Sequence, residues 1–173
     1  MITLYLARHG ETDGNVQQWY QGSTDVPINA HGLEQAKCLG DFFSHTHLDA
    51  VYSSTLQRAM ATAECVAAPH GLSVIPDESL KEADFGEWEG HTYEEITTKW
   101  PGELEAVYAS DGSLPARGGE SFCQVRDRIL KGTRDILSKH KDGDSVFIVS
   151  HGAALRCLLF GLLGLDMQSE EHT

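Results

Sequence analysis

Apolar positions along this chain follow two periods. Residues 2–7 (ITLYLA) and 145–149 (SVFIV) are nearly continuous runs of β-branched, aromatic and aliphatic side chains, the pattern of strands buried on both faces. Residues 49–53 (DAVYS) and 73–76 (SVIP) are shorter runs of the same kind. Between the runs the spacing widens to three and four. Leu33, Ala36, Leu39 and Phe43 share one face of a helix over about 31–44, with Asn29 as its cap. Leu56, Met60, Ala63 and Val66 mark a second helix that ends near Pro69-His70-Gly71. Phe122, Val125, Ile129 and Ile136 make a stripe on a long helix of about 120–140, and a nearly all-apolar helix covers 153–163. Residues 11–30 are polar and read as a functional loop. Residues 84–119 carry many Gly, Trp and acidic residues, with at most two short helices near 92–99 and 102–109. Such an insertion is expected to form a lid over a site.

Strands and helices therefore alternate. The expected fold is α/β, a three-layer αβα sandwich with a mostly parallel central sheet. The 173 residues suit one domain over 1–173, and 40% hydrophobic with 23% charged residues is ordinary for a globular chain. No apolar run reaches the roughly 18–20 residues of a membrane span, so no membrane partner is expected. The stretch from Met1 to Arg8 lacks a basic leader, so the mature chain is expected to begin there and to be cytoplasmic. A net charge of -13 argues against nucleic acid, which needs clustered Lys and Arg, but not against one small phosphate held by a few gathered arginines. Cys38, Cys65, Cys123 and Cys157 contain no Cys-x-x-Cys pair and are expected as core thiols. His45-Thr46-His47 has the look of a ligand pair but falls in a helix-end loop, where solvation explains it better. There is no Gly-x-Gly-x-x-Gly and no Walker-type loop, and neither a cofactor nor a metal is expected.

Two of the strands end alike. One runs into Arg8-His9-Gly10, the other into Ser150-His151-Gly152. In open parallel sheets ligands bind beyond the carboxyl ends of the strands, so neighbouring strands would bring both histidines to one crevice. The glycines, Gly152 among them, let a ligand approach closely. Arg58 opens the helix after the second strand and reaches the same edge. Arginine forks match phosphate oxygens, and helix N-termini add backbone donors. A histidine nitrogen there can attack a phosphoryl group, provided it is unprotonated, and nearby positive charge favours that state. The other histidine and the arginines would stabilise the phosphoryl oxygens. The leaving alcohol then needs a general acid. Glu82, just after the third strand, is the best-placed carboxylate, with Glu11, Asp84 and Glu87 left open.

Several segments, in order, resemble the histidine phosphatase superfamily, the phosphoglycerate mutase-like proteins. These are Arg8-His9-Gly10-Glu11-Thr12 followed by Asn15, Gln21-Gly22 and Asp25; His31-Gly32-Leu33-Glu34-Gln35-Ala36; Tyr52-Ser53-Ser54-Thr55-Leu56-Gln57-Arg58-Ala59; Leu80-Lys81-Glu82-Ala83-Asp84-Phe85-Gly86-Glu87-Trp88; Gly118-Gly119-Glu120-Ser121; and Val149-Ser150-His151-Gly152. The resemblance implies His9 as the phosphorylated nucleophile, Arg8, Arg58 and His151 as phosphate ligands, and Glu82 as proton donor. It also implies Asn15, Gln21 and Gly22 as substrate contacts. The expected activity is that of a metal-independent, histidine acid-type phosphatase acting on a small phosphomonoester.

Departures from the mutase pattern are Ala83 and Ala153, where mutases carry Arg and often Asn. The 84–119 segment also holds only Lys99 and Arg117 against many acids. A pocket poor in cations beyond the phosphate cradle favours hydrolysis of phosphomonoesters with neutral or zwitterionic alcohols. The alternatives are a phosphoglycerate mutase and a non-catalytic phosphate-binding protein. Trp19, Trp88 and Trp100 are candidates for lining the pocket, Trp88 foremost. Relatives usually add a further strand after the last helix. Residues Glu170-Glu171-His172-Thr173 do not read as one, so an exposed sheet edge is expected, a surface on which a homodimer could pair.

Overall fold

The computed structural model describes residues 1–165. The terminal residues 170–173, on which the expectation of an absent last strand rests, lie outside them.

Chain order is β1 (Thr3–Arg8), α1 (Asp13–Val16), α2 (Ala30–Phe43), β2 (Ala50–Ser53), α3 (Gln57–Ala67), β3 (Val74–Pro76), α4 (Tyr93–Lys99), α5 (Glu103–Ala109), α6 (Phe122–Leu137), β4 (Ser145–Ser150) and α7 (Gly152–Leu163). The four strands form one parallel sheet in the order β1-β4-β2-β3. β4 alternates strictly: Val146 and Ile148 face the layer of α6 and α7, while Phe147 and Val149 face α2 and α3. Both faces are covered, which explains the unbroken apolar run.

The register positions the site. Arg8 pairs with Ser150, and Val149 pairs with Ser53, so β1 and β4 end level and β2 ends one residue short of them. The next residues, His9, His151 and Ser54, therefore emerge at one edge of the sheet.

Asn29 caps α2 as expected, its side chain accepting from Gly32 N. Of the expected face, Ala36 is buried and Leu39 and Phe43 pack against the core; Leu33 is exposed, and Gly32 and Gly40 complete the contact. The reason is proximity of backbone: a Cβ on Gly32 would lie 2.1 Å from Glu11 O, and one on Gly40 would lie 2.2 Å from Cys65 O. Only a small-residue stripe lets α2 approach that far. Of the cysteines only Cys157 is buried, and Cys38 faces solvent from α2, contrary to the expectation of four core thiols.

Residues 84–119 are well packed. Trp88, Ile96, Leu104, Val107 and Ala116 join the same apolar cluster as α6 and α7. Main-chain bonds tie the segment to the loop after α1: Tyr20 N donates to His91 O (3.0 Å) and Gly90 N to Tyr20 O (2.9 Å). No helix among the described residues is long and apolar enough to cross a membrane.

Candidate active site

His9 follows β1 directly and is 8% exposed. Its Nδ1 lies 2.7 Å from Gly10 O. A carbonyl only accepts, so Nδ1 carries the hydrogen and Nε2 keeps its lone pair. Burial pushes the His9 pKa down to about 4; the Gly10 bond opposes it, and the Arg58 and Arg8 guanidiniums add smaller downward contributions. The ring is therefore neutral at pH 7. Thr62 fixes the turn by accepting from Gly10 N (3.0 Å) while donating to Arg58 O (2.8 Å).

His151 lies beneath His9, fully buried, with ring centroids 5.0 Å apart. Its Nε2 is 2.7 Å from Ser54 Oγ, which also accepts from Leu56 N at 3.3 Å. When the Ser54 hydroxyl donates to Nε2, the ring hydrogen resides on Nδ1; in the other tautomer Nε2 donates to Ser54 Oγ. That Nδ1 is buried without a protein partner among the described residues. Burial first, then the charge of Arg58, holds the His151 pKa well below its ordinary value.

Arg58, in the first turn of α3, is 1% exposed. It donates to Thr24 O (2.8 Å) and Gly22 O (2.7 Å). Burial pushes its guanidinium pKa down, opposed by the carboxylates of Glu82, Asp25 and Glu89. The loop that supplies the two carbonyls is itself braced. Glu89 accepts from Ser23 N (2.8 Å) and Thr24 N (2.9 Å), and Asp25 accepts from Gln57 N (2.7 Å) at the start of α3. Gly22 has φ +50, and a Cβ there would lie 2.0 Å from Glu89 Oε1, so only glycine fits. Arg8, in contrast, is exposed and makes no side-chain hydrogen bond among the described residues. Its guanidinium lies 3.6 Å from where a Cβ of Gly152 would stand. That is an ordinary contact distance, so the start of α7 and the Arg8 fork lie side by side.

Glu82 sits against the N-terminus of α7. Oε1 accepts from Ala154 N (2.9 Å) and Ala83 N (2.9 Å), and Oε2 from Ala153 N (3.2 Å). Arg128 of α6 holds the approach to it. The guanidinium donates to Ser79 O, Lys81 O and Glu82 O (2.9, 3.0 and 3.2 Å) and makes a two-toothed pair with Glu120. The other carboxylates left open by the sequence are engaged elsewhere. Glu11 accepts from Asn29, Asp84 from Gly86 N, and Glu87 from Arg117.

These groups surround a cavity of about 340 Å³. Arg8, His9, Asn15, Gln21, Gly22, Arg58, Glu82 and Gly152 all line it, and His151 supports it from behind. The oxygens of Asn15 and Gln21 turn inward onto Thr12 N (3.0 Å) and Thr12 Oγ1 (2.6 Å), which leaves both amide nitrogens as donors. A larger cavity of about 820 Å³ lies on the far side of Glu82, lined by mixed charges such as Asp77, Lys81, Glu120 and Arg128. It contains neither histidine, so the smaller cavity is the candidate site. Among the described residues no cluster of His, Cys, Asp and Glu could hold a metal ion, and His47 pairs with Asp49 at the surface.

Sequence reasoning missed part of the lining. Tyr20, Phe85, Tyr108 and Arg156 border the cavity, and Trp19 does so rather than Trp88, which is 1% exposed within the core. Arg156 also corrects the expectation of few cations beyond the cradle. Its signal was present: it follows Gly152 by four residues, so both fall on one face of α7.

Comparisons with known proteins agree with this geometry. The model of the histidine phosphatase superfamily (branch 1) matches residues 4–172. Phosphoserine phosphatase 1 of Hydrogenobacter thermophilus is 35% identical over 167 residues, 96% of this chain and 79% of that protein. The probable phosphoglycerate mutase GpmB of Salmonella choleraesuis is 34% identical over 174 residues, 99% of this chain and 80% of that one. Among solved structures, Bacillus stearothermophilus YhfR superposes with a TM-score of 0.90 at 34% identity, covering 100% of this chain and 87% of the other.

Proposed function

This chain belongs to the histidine phosphatase superfamily and hydrolyses phosphomonoesters through a phosphohistidine; we propose that His9 is the nucleophile and that no metal takes part. The observation that carries this reading is the neutral, buried His9 whose Nδ1 hydrogen is held by Gly10 O, leaving the Nε2 lone pair beside Arg8 and Arg58.

In the first step His9 Nε2 attacks phosphorus and the bond from phosphorus to the ester oxygen breaks. Its electron pair stays on that oxygen, which takes a proton from Glu82. Oε1 of Glu82 already accepts two backbone donors and Oε2 only one, so Oε2 carries the transferred proton. Arg8, Arg58, His151 in the tautomer with its hydrogen on Nδ1, and the amide of Asn15 stabilise the phosphoryl oxygens. In the second step water attacks phosphorus and returns a proton to Glu82. The bond from phosphorus to nitrogen breaks, its pair goes back to Nε2, and inorganic phosphate leaves.

The test is phosphate release from a panel of phosphomonoesters in excess chelator. Release by the wild type and none by His9→Asn is expected. Loss of activity on chelation contradicts the metal-free mechanism. The likeness to GpmB keeps phosphoglycerate isomerisation as a second reading, and a mutase assay on 3-phosphoglycerate separates the two.

A further inference from the structure

β4 ends on Ser150, which touches both halves of the site from outside the cavity. Side chains alternate along a strand, so Ser150 continues the face of Val146 and Ile148 toward the layer of α6 and α7. It is fully buried, where a hydroxyl needs a partner. That partner is Leu80 O, to which Ser150 Oγ donates at 2.7 Å. The carbonyl of Ser150 accepts from His9 N at 3.1 Å. One residue thus joins the backbone of His9 to the backbone two residues before Glu82.

The carbonyls of segment 79–82 are all engaged. Arg128 donates to Ser79 O, Lys81 O and Glu82 O, and Ser150 takes the one that Arg128 leaves, Leu80 O. Neither side chain lines the cavity beside His9. The Glu82 carboxylate in turn rests on Ala153 N and Ala154 N, just beyond Ser150 in the chain. The backbone and the side chain of Glu82 are therefore both fixed to the stretch 150–154, which also carries His151 and anchors His9.

We propose that Ser150 is a positioning residue: through Leu80 O it fixes Glu82 relative to His9, so that the leaving oxygen meets its proton as His9 Nε2 reaches phosphorus. This rests on the phosphatase reading above and adds to it a residue that touches no substrate.

Phenyl phosphate and 4-nitrophenyl phosphate share a ring and differ in how much the leaving oxygen needs a proton. The ratio of their kcat values therefore reports proton delivery, and any unfolded fraction cancels from it. Ser150→Ala should lower kcat for phenyl phosphate about tenfold or more, the effect of a misplaced catalytic group, and slow 4-nitrophenyl phosphate far less. KM for both should change little. In a Glu82→Gln background Ser150→Ala should cost nothing further with phenyl phosphate, because the acid it positions is gone. Ser150→Cys, with a weaker donor, should shift the ratio in the same direction by less. Equal losses on the two substrates overturn the inference, because a defect in His9 or in the fold acts on both. An undiminished further loss in the Glu82→Gln background overturns it too. Failure of the wild type to release phosphate from either compound overturns the phosphatase reading itself, and the inference with it.

Discussion

Keeping His9 neutral has a thermodynamic consequence that pH exposes. The ring has an ordinary pKa of 6.5 and a folded value of about 4. Between those values the unfolded chain binds a proton that the folded chain refuses, so stability rises with pH across this window and falls as pH drops through it. The distance from 6.5 to about 4, at about 1.4 kcal/mol per pH unit, makes about 3 kcal/mol. Above pH 7 the penalty is absent, and below pH 4 it is complete. His151 acts in the same direction, since its folded pKa is also depressed. Carboxylates titrate over part of the same range, so the clean measurement is a difference. His9→Asn keeps an amide hydrogen positioned to donate to Gly10 O but has nothing to protonate. Urea unfolding of both proteins from pH 7.5 to 4 should show the wild type losing about 3 kcal/mol relative to the variant, with most of the change below pH 6. A difference that stays flat would refute the claim that burial and two arginines hold this ring neutral.

Glu82→Gln should slow release of poor leaving groups roughly 10²–10⁴-fold while slowing 4-nitrophenyl phosphate far less, because a good leaving group needs no proton; equal losses remove Glu82 from that role. Arg128 touches three carbonyls between Ser79 and Glu82 but does not line the cavity beside His9. Arg128→Met should therefore lower kcat with the same dependence on leaving group, and a uniform loss across leaving groups would mean that it only stabilises the fold. Gly40→Ala should destabilise the protein by about 1–3 kcal/mol in urea unfolding, since its Cβ would meet Cys65 O at 2.2 Å; an unchanged midpoint would show that α2 can move away at no cost.

The meeting of the two histidines was legible on one condition, that the two strands ending in His-Gly be neighbours; β1 and β4 pair in parallel and meet it, whereas the order of the sheet was not encoded in any local pattern. Glu82 was the preferred carboxylate on position after the third strand. Its contact with α7 lies 72 residues away in sequence, a closeness that no local pattern encodes. On α2 the spacing placed Ala36, Leu39 and Phe43 correctly and failed at Leu33, because hydrophobicity favours Leu33 whereas close backbone approach selects Gly32 and Gly40. Trp19 lines the cavity as a candidate should, and the preference for Trp88 failed because only tertiary packing separates a core indole from a lining one. Arg156 stayed hidden inside an apolar helix, where a single cation reads as one exposed position.

The central claim is that phosphate passes through His9. Rapid quenching of the enzyme during turnover, followed by peptide mapping by mass spectrometry under alkaline conditions, measures it directly. The account predicts one acid-labile phosphoryl group on the peptide that contains His9, absent in His9→Asn. Phosphate on a serine, an aspartate or His151, or turnover by His9→Asn at the wild-type rate, would contradict it.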